Sequence, residues 1–277
     1  MSVPQLMMLS GGLAGGGRNG LSSGTAGESA AQILADFPSS TDGVYWIDLP
    51  TVGPTQIYCI MNSSYDGGGW MLAMKATRGT TFDYTASYWE TNNTLNPTEN
   101  NLNDGDAKYN SYNYFAGTDI MARFPDVSAP LVVAFGGTLG SGLSAWTWHE
   151  NDYYNSGSAT TLLNHFTNTS NNTYLLENAA VTSWAGHSGG PFSAQSGYRK
   201  YGFNLDESSI AVSGARARWG FAWNNETTAG SNDVYSGIGL NSTRLGVNIA
   251  YSAGDFLGCC QSYTGENRTM RVEMYVR

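Results

Sequence analysis

The sequence predicts an α+β fold: few helices, short twisted strands and long loops, preceded by an extended Gly-rich N-terminal arm. Three observations predict it. A lone amphipathic helical stretch comes early, strand-like runs follow it between Gly and Asn turns, and long aperiodic segments join the rest. The composition agrees. Glycine accounts for 35 of 277 residues, and charged residues for 13%, about half of the usual share near 25%. Aromatic residues reach 13%, with 8 Trp and 17 Tyr, a load that disordered chains lack. The length suffices for one large core or two modest domains.

Residues 1–27 form the first unit. They carry eight glycines and no aromatic side chain, so they cannot bury enough surface to order themselves alone. Either they are a flexible linker, or they are an arm that docks on a partner chain through Leu6, Met7, Met8 and Leu9. The arm is the sharper expectation, because a short apolar plug ahead of a glycine spacer suits an anchored, projecting module. Residues 28–277 form the second unit. Ala30, Ile33 and Leu34 share one face of a helix over 29–36 that stops before Pro38. Strands are expected at 44–47, 57–61 and 71–74, with a turn at Asp66-Gly-Gly-Gly-Trp70. Residues 89–119, rich in Asn, Asp, Gly and Tyr, read as one long loop region, and such loops are usually functional. Later strands are expected at 131–135, 215–223 and 270–276.

Charge and targeting narrow the function. The net charge of −9 argues against nucleic acid or anionic lipid as the main partner. The first nine residues lack a basic flank and hold too short an apolar stretch for a signal-peptide core, and no run approaches membrane-span length. The expectation is therefore a chain without a cleaved leader and without membrane insertion. Cys59, Cys259 and Cys260 allow at most one bridge, and adjacent cysteines bridge only with strain, so all three are expected reduced.

No catalytic constellation emerges, and the chain is not expected to be an enzyme. Gly186-His-Ser-Gly-Gly190 matches a nucleophile-elbow pattern, but its flanks promise neither the preceding strand nor the following helix. His149, His165 and His187 lack the spacing of helical metal ligands. Calcium suits the polar loops better, since hard cations take oxygen donors. Asn101-Leu-Asn-Asp-Gly-Asp106 and Asn224-Asn-Glu226 with Asn232-Asp233 supply them, without EF-hand spacing. Seven N-x-S/T sequons fall in a chain so rich in Asn, Ser and Thr that most arise by chance.

One order of motifs is more specific. Ala31-Gln-Ile-Leu34, Pro38-Ser-Ser-Thr-Asp-Gly-Val-Tyr-Trp-Ile47, Ile57-Tyr-Cys-Ile-Met61 and Asp66-Gly-Gly-Gly-Trp70 follow one another. Together they resemble the opening of fibrinogen-related domains. Trp89-Glu-Thr-Asn-Asn-Thr-Leu-Asn96, Gly220-Phe-Ala-Trp-Asn-Asn-Glu226, Gly254-Asp-Phe256 and the ending from Arg268 to Arg277 resemble the intelectin branch. The resemblance implies an α+β recognition domain that is secreted or surface-displayed, calcium-bound, often sugar-binding and often a homo-oligomer. It implies calcium ligands at Asp104 or Asp106 and at Asp255. Trp223, Asn225, Glu226 and Asp233, in and after the matching stretch, are the candidate ligand-binding residues. Two departures stand out. The family's first cysteine is absent near Ala30 and Ala31, so Cys59 lacks the implied partner, and the Asn-Glu-His calcium segment has no counterpart between Glu226 and Asp255.

A lectin-like chain with neither leader nor bridge fits assembly inside a reducing cytoplasm and release on lysis. The expectation is a virion surface protein (head fibre, decoration or tail-tip adhesin) held to other virion proteins by its arm and presented to host glycans. The alternative is a free, secreted, calcium-dependent lectin in the extracellular medium.

Overall fold

The structure is a computed structural model that describes residues 17–126, 131–133, 146–148, 151–167, 199–206, 215–223, 234–242, 249–257 and 268–277. The anchor residues Leu6, Met7, Met8 and Leu9, the Gly186 to Gly190 segment, and Cys259 and Cys260 lie outside these residues.

Residues 17–27 sit on the edge of the first strand, β1 (Gly43–Leu49). The Trp46 N–H donates to the Gly20 carbonyl at 2.7 Å, Gly27 donates to the Trp46 carbonyl at 2.9 Å, and Asp48 donates back to Gly27 at 2.8 Å. Arg18 fastens the segment by donating to the Ala26 carbonyl and pairing with Glu28 and Asp48. Composition offers this stretch no home of its own; the strand edge supplies one. Helix α1 (Ala30–Asp36) follows, capped by Ser29, whose hydroxyl accepts from the Gln32 N–H at 3.0 Å. It buries Ala30 and Ile33.

β1 pairs in antiparallel register with β2 (Gly53–Ile60), and β2 with β3 (Trp70–Ala76). Between β2 and β3 the backbone turns through four consecutive positive φ values, from 47° at Asp66 to 79° at Gly69. A Cβ on Gly69 would lie 2.8 Å from the Ala31 Cα, against the helix. Gly69→Ala should therefore cost about 1–3 kcal/mol in chemical denaturation. Gly105→Ala, where nothing lies within 4 Å of an added Cβ, is the control. Equal losses from the two substitutions would sink the argument.

The chain continues through β4 (Ala107–Lys108), α2 (Asn110–Tyr114), β5 (Gly117–Arg123), β6 (Leu131–Val133), β7 (Trp146–Trp148), β8 (Asn151–Thr160) and α3 (Leu162–Thr167). It ends with β9 (Arg199–Asp206), β10 (Ala215–Trp223), β11 (Val234–Ser242), β12 (Ile249–Leu257), β13 (Arg268–Thr269) and β14 (Val272–Val276). One antiparallel sheet has the order β1-β2-β3-β14-β5-β8, with β4 beside β3; a second runs β13-β12-β11-β10-β9. Among the described residues, β6 and β7 pair only with each other.

The expected α+β class is corrected here. Among the described residues, fourteen strands accompany three α-helices of five to seven residues, and the architecture is mostly β, closer to a β-sandwich. The segment 89–119, expected as one long loop, holds β4, α2 and the start of β5. β8, β11 and β12 were not anticipated: each carries Gly and Ser among its residues, and neighbouring strands satisfy its backbone groups.

Both sheets share one core. Met74, Val272 and Met274 of the first belong to the same buried cluster as Phe203, Trp219 and Ile238 of the second. Aromatic rings extend this core from the second sheet through α3 to the segment after β3. Trp219 stacks on Phe203 at 5.1 Å between centroids, Phe203 meets Phe166 at 5.7 Å, Phe166 meets Trp89 at 4.9 Å, and Trp89 meets Phe82 at 6.1 Å. His165 lies edge-on to Phe203 at 3.9 Å, and burial pushes its pKa down to about 4. Between that value and the ordinary 6.5, the unfolded chain takes up a proton that the folded one does not. Stability should therefore fall as the pH drops from 6.5 through 4, by up to about 3 kcal/mol. Denaturant midpoints across this range should be flatter in His165→Gln; an unchanged slope there would assign the acid sensitivity to other groups.

Candidate functional site

A second buried cluster covers the outer face of the first sheet: Ile60, Trp70, Leu72, Met121 and Tyr275 lie beneath Ala107, Tyr109 and Leu102. The lid is the polar loop 96–106 that carries Asp104 and Asp106. Its shape follows from short-range bonds. Asn96, at φ 43°, donates from Nδ2 to the Asp106 carbonyl at 2.9 Å, and the Asn103 N–H donates to the Asn101 Oδ1 at 2.9 Å.

Three cations of the protein converge on this loop. The Lys75 ammonium, from β3, donates to the Asn101 carbonyl at 3.0 Å, to the Asn101 Oδ1 at 3.1 Å and to the Asn103 carbonyl at 3.1 Å. Arg271 donates to the Leu102 carbonyl at 2.5 Å. Arg78 bridges Asp104, at 2.6 Å, and Asp126. The Asp106 carboxylate accepts from the Thr77 N–H at 2.9 Å and from the Thr81 hydroxyl at 2.5 Å. Desolvation raises the Asp104 pKa, but the bonds from Arg78 and Thr77 outweigh it and hold this carboxyl below its ordinary range. Desolvation likewise lowers the Lys75 pKa, against the pull of Glu99 and Glu273.

Deeper in the fold, Lys108 is fully buried. Its ammonium donates to the Tyr88 and Thr91 carbonyls at 2.7 and 2.6 Å and lies 4.3 Å from the Tyr112 ring centroid. Burial pushes its pKa down to about 7. Arg218 of β10 ties the second sheet to the segment after β3 by donating to the Tyr84 carbonyl and pairing with Glu90 at 2.8 Å, and it donates to the Asn204 Oδ1 of β9.

The calcium implied at Asp104 and Asp106 does not fit this arrangement. Their oxygens already face Arg78, Thr77 and Thr81, and no group of three or more His, Cys, Asp or Glu side chains among the described residues could hold a metal. Arg78→Met leaves Asp104 and Asp126 without the cation between them. It should make the melting temperature rise with calcium through this loop. A parent protein that already melts lower in EDTA would place its calcium elsewhere.

The remaining candidates belong to the second sheet. Asp255 lies on β12, where its backbone is paired with Ser236 of β11 and Arg268 of β13. Trp223 ends β10 opposite Val234, which is itself paired with Leu257 at the end of β12. Trp223 and Asp255 thus belong to the same end of the sheet. Asn225, Glu226 and Asp233, in the β10–β11 connection, lie outside the described residues. Two bonds tie β12, the strand of Asp255, to the segment after β3: Ser252 donates from its N–H to the Gly79 carbonyl at 2.8 Å, and its Oγ accepts from the Phe82 N–H at 3.0 Å.

Sequence reasoning passed over Lys75, Arg78, Lys108, Arg271 and Glu273. For two of them a signal existed: a single charge inside the apolar strands Trp70–Ala76 and Val272–Val276 needs a partner when both faces are covered. Cys59, by contrast, fits its expected role as a free, buried thiol, which burial makes harder to ionise. Among the described residues, no helix is long and apolar enough to cross a membrane. No family model matches the chain, and no curated protein matches it.

Proposed function

We propose that this chain is a virion surface adhesion protein, whose domain binds host-surface glycans and whose N-terminal residues anchor it to other virion proteins. The observation that carries the reading is the register at one end of the second sheet. Trp223 ends a strand there, and the next ten residues, among them Asn225, Glu226 and Asp233, form the connection to β11. A tryptophan followed within ten residues of sequence by amide and carboxylate groups offers the chemistry a neutral sugar needs: a ring for the apolar face of the pyranose and acceptors for its hydroxyls. The low charge content and the net charge of −9 disfavour a polyanionic partner. The motif order that resembles intelectins points the same way.

Removing residues 1–16 tests the anchor, because it leaves Arg18 and the Gly20 and Gly27 pairings on β1 intact. The truncated chain should fold, bind glycans as before and be missing from purified particles, in which the full chain is stoichiometric. Trp223→Ala should lose binding on a glycan array by about tenfold or more, the equivalent of one lost stacking contact. A full chain that binds glycans but occurs only as free protein in the medium would favour the secreted lectin. A full chain that binds no glycan would remove the recognition half of the proposal.

A further inference from the structure

Lys75 and Glu273 are direct cross-strand partners on β3 and β14, so their side chains project from the same face of the sheet. Loop 96–106 covers that face. Lys75 is 3% exposed and Glu273 is 0% exposed. The Lys75 Nζ donates to the Asn101 Oδ1 at 3.1 Å, which holds the amine against the oxygen bonded to the Asn101 Cγ. The same oxygen accepts the Asn103 N–H at 2.9 Å, which is where a donor belongs if negative charge is to gather on it. The rest of the site is held in place. Arg271 grips both the Leu102 carbonyl and the Glu273 carboxylate, at 2.5 and 2.8 Å, and the Tyr275 hydroxyl donates to Glu273 at 2.7 Å.

We propose that these groups react, and that in the mature protein the side chains of Lys75 and Asn101 are joined by an isopeptide bond. The neutral Lys75 amine attacks the Asn101 Cγ, forming an Nζ–Cγ bond and moving charge onto Oδ1, where the Asn103 N–H stabilises it. Collapse of this intermediate breaks the Cγ–Nδ2 bond. The proton given up by Nζ passes to Nδ2, with Glu273 as the neighbouring carboxylate able to carry it, and ammonia leaves. One amide replaces another, so the step needs no oxidant, reductant or activating group. Burial favours the neutral amine that the attack requires. The product fastens the polar lid covalently to a central strand.

Intact mass spectrometry of the denatured full chain tests this directly. The mass should fall below that of the sequence by one ammonia, and a digest should contain one branched peptide that joins the Lys75 and Asn101 segments. Lys75→Arg and Asn101→Ala should each restore the missing ammonia. Glu273→Gln, folded by circular dichroism, should show the bond lost or formed far more slowly. A wild-type chain at full sequence mass overturns the proposal. So does an ammonia loss that maps elsewhere, such as a ring-closed Asn19 before Gly20, with the Lys75 and Asn101 peptides unlinked.

Discussion

Trp89→Ala should destabilise the protein by about 3–5 kcal/mol, the range for emptying a large aromatic site in a core. Trp89 is fully buried, its rings meet Phe82 and Phe166, and its indole N–H donates to the Asp83 carbonyl at 2.6 Å. It stands in the ring series that leads to Phe203 and Trp219, so the cavity would open between the two sheets. The segment that carries Trp89 cannot shift freely to fill it, because Arg218 and Ser252 bond that segment to the second sheet. The denaturant midpoint should drop accordingly, and thermal melting should come on the order of 10 °C earlier. A loss below about 1 kcal/mol would mean that the sheets can close over the gap, and that the aromatic series does not set their spacing.

The second large effect is expected at Glu273. Its carboxylate is buried, pairs with Arg271 at 2.8 Å and Arg123 at 3.6 Å, and accepts the Tyr275 hydroxyl. Glu273→Ala would take one partner from each of two guanidinium groups and a phenol near the middle of the first sheet. Removing one partner of a buried ion pair costs about 3–5 kcal/mol. The lower end applies here, because the Arg123 and Arg271 side chains keep 21% and 18% of their exposure. The double variant Glu273→Leu with Arg271→Leu should recover part of the loss, since removing both charges leaves less to solvate. If the double variant is weaker by the full sum of the single losses, the two residues do not act as a pair.

The legible parts of this fold are those in which side chains state the backbone's choice. The helix begins at a Ser cap and stops short of Pro38. β1, β2, β3 and β10 carry the Val, Ile, Tyr and Trp that strands favour, and each was expected near its observed position. β11 and β12 were hidden because their glycines resemble turn glycines. Gly237 shows the physical reason. It lies inside β11 at φ 147°, where a Cβ would come within 2.2 Å of the Trp219 carbonyl on the neighbouring strand. Such a glycine admits a close strand neighbour, and nothing local in the sequence announces that neighbour. The site divides in the same way. Asp104 and Asp106 stand out as oxygen donors in a polar loop, and that loop exists. The cations that face it come from Lys75, Arg78 and Arg271, and only the pairing of β3 with β14 brings the first and last of these together.

That pairing also sets the order in which the molecule can be made. β14 fills the slot between β3 and β5, although residues 124–271 separate it from β5 in the chain. While the chain is emerging from the ribosome, β3 and β5 have no neighbour at that slot, and the first sheet stands as two open halves. Contacts this distant in sequence are slow to form, and unpaired strand edges are sticky in the meantime. Residues 272–276 therefore act as a keystone: the sheet cannot close before they have been translated. The same arrangement makes the folded molecule tolerant of a break. A protease cut in the interval between β5 and β14 would leave two fragments, with a strand of one hydrogen-bonded on both sides into the sheet of the other.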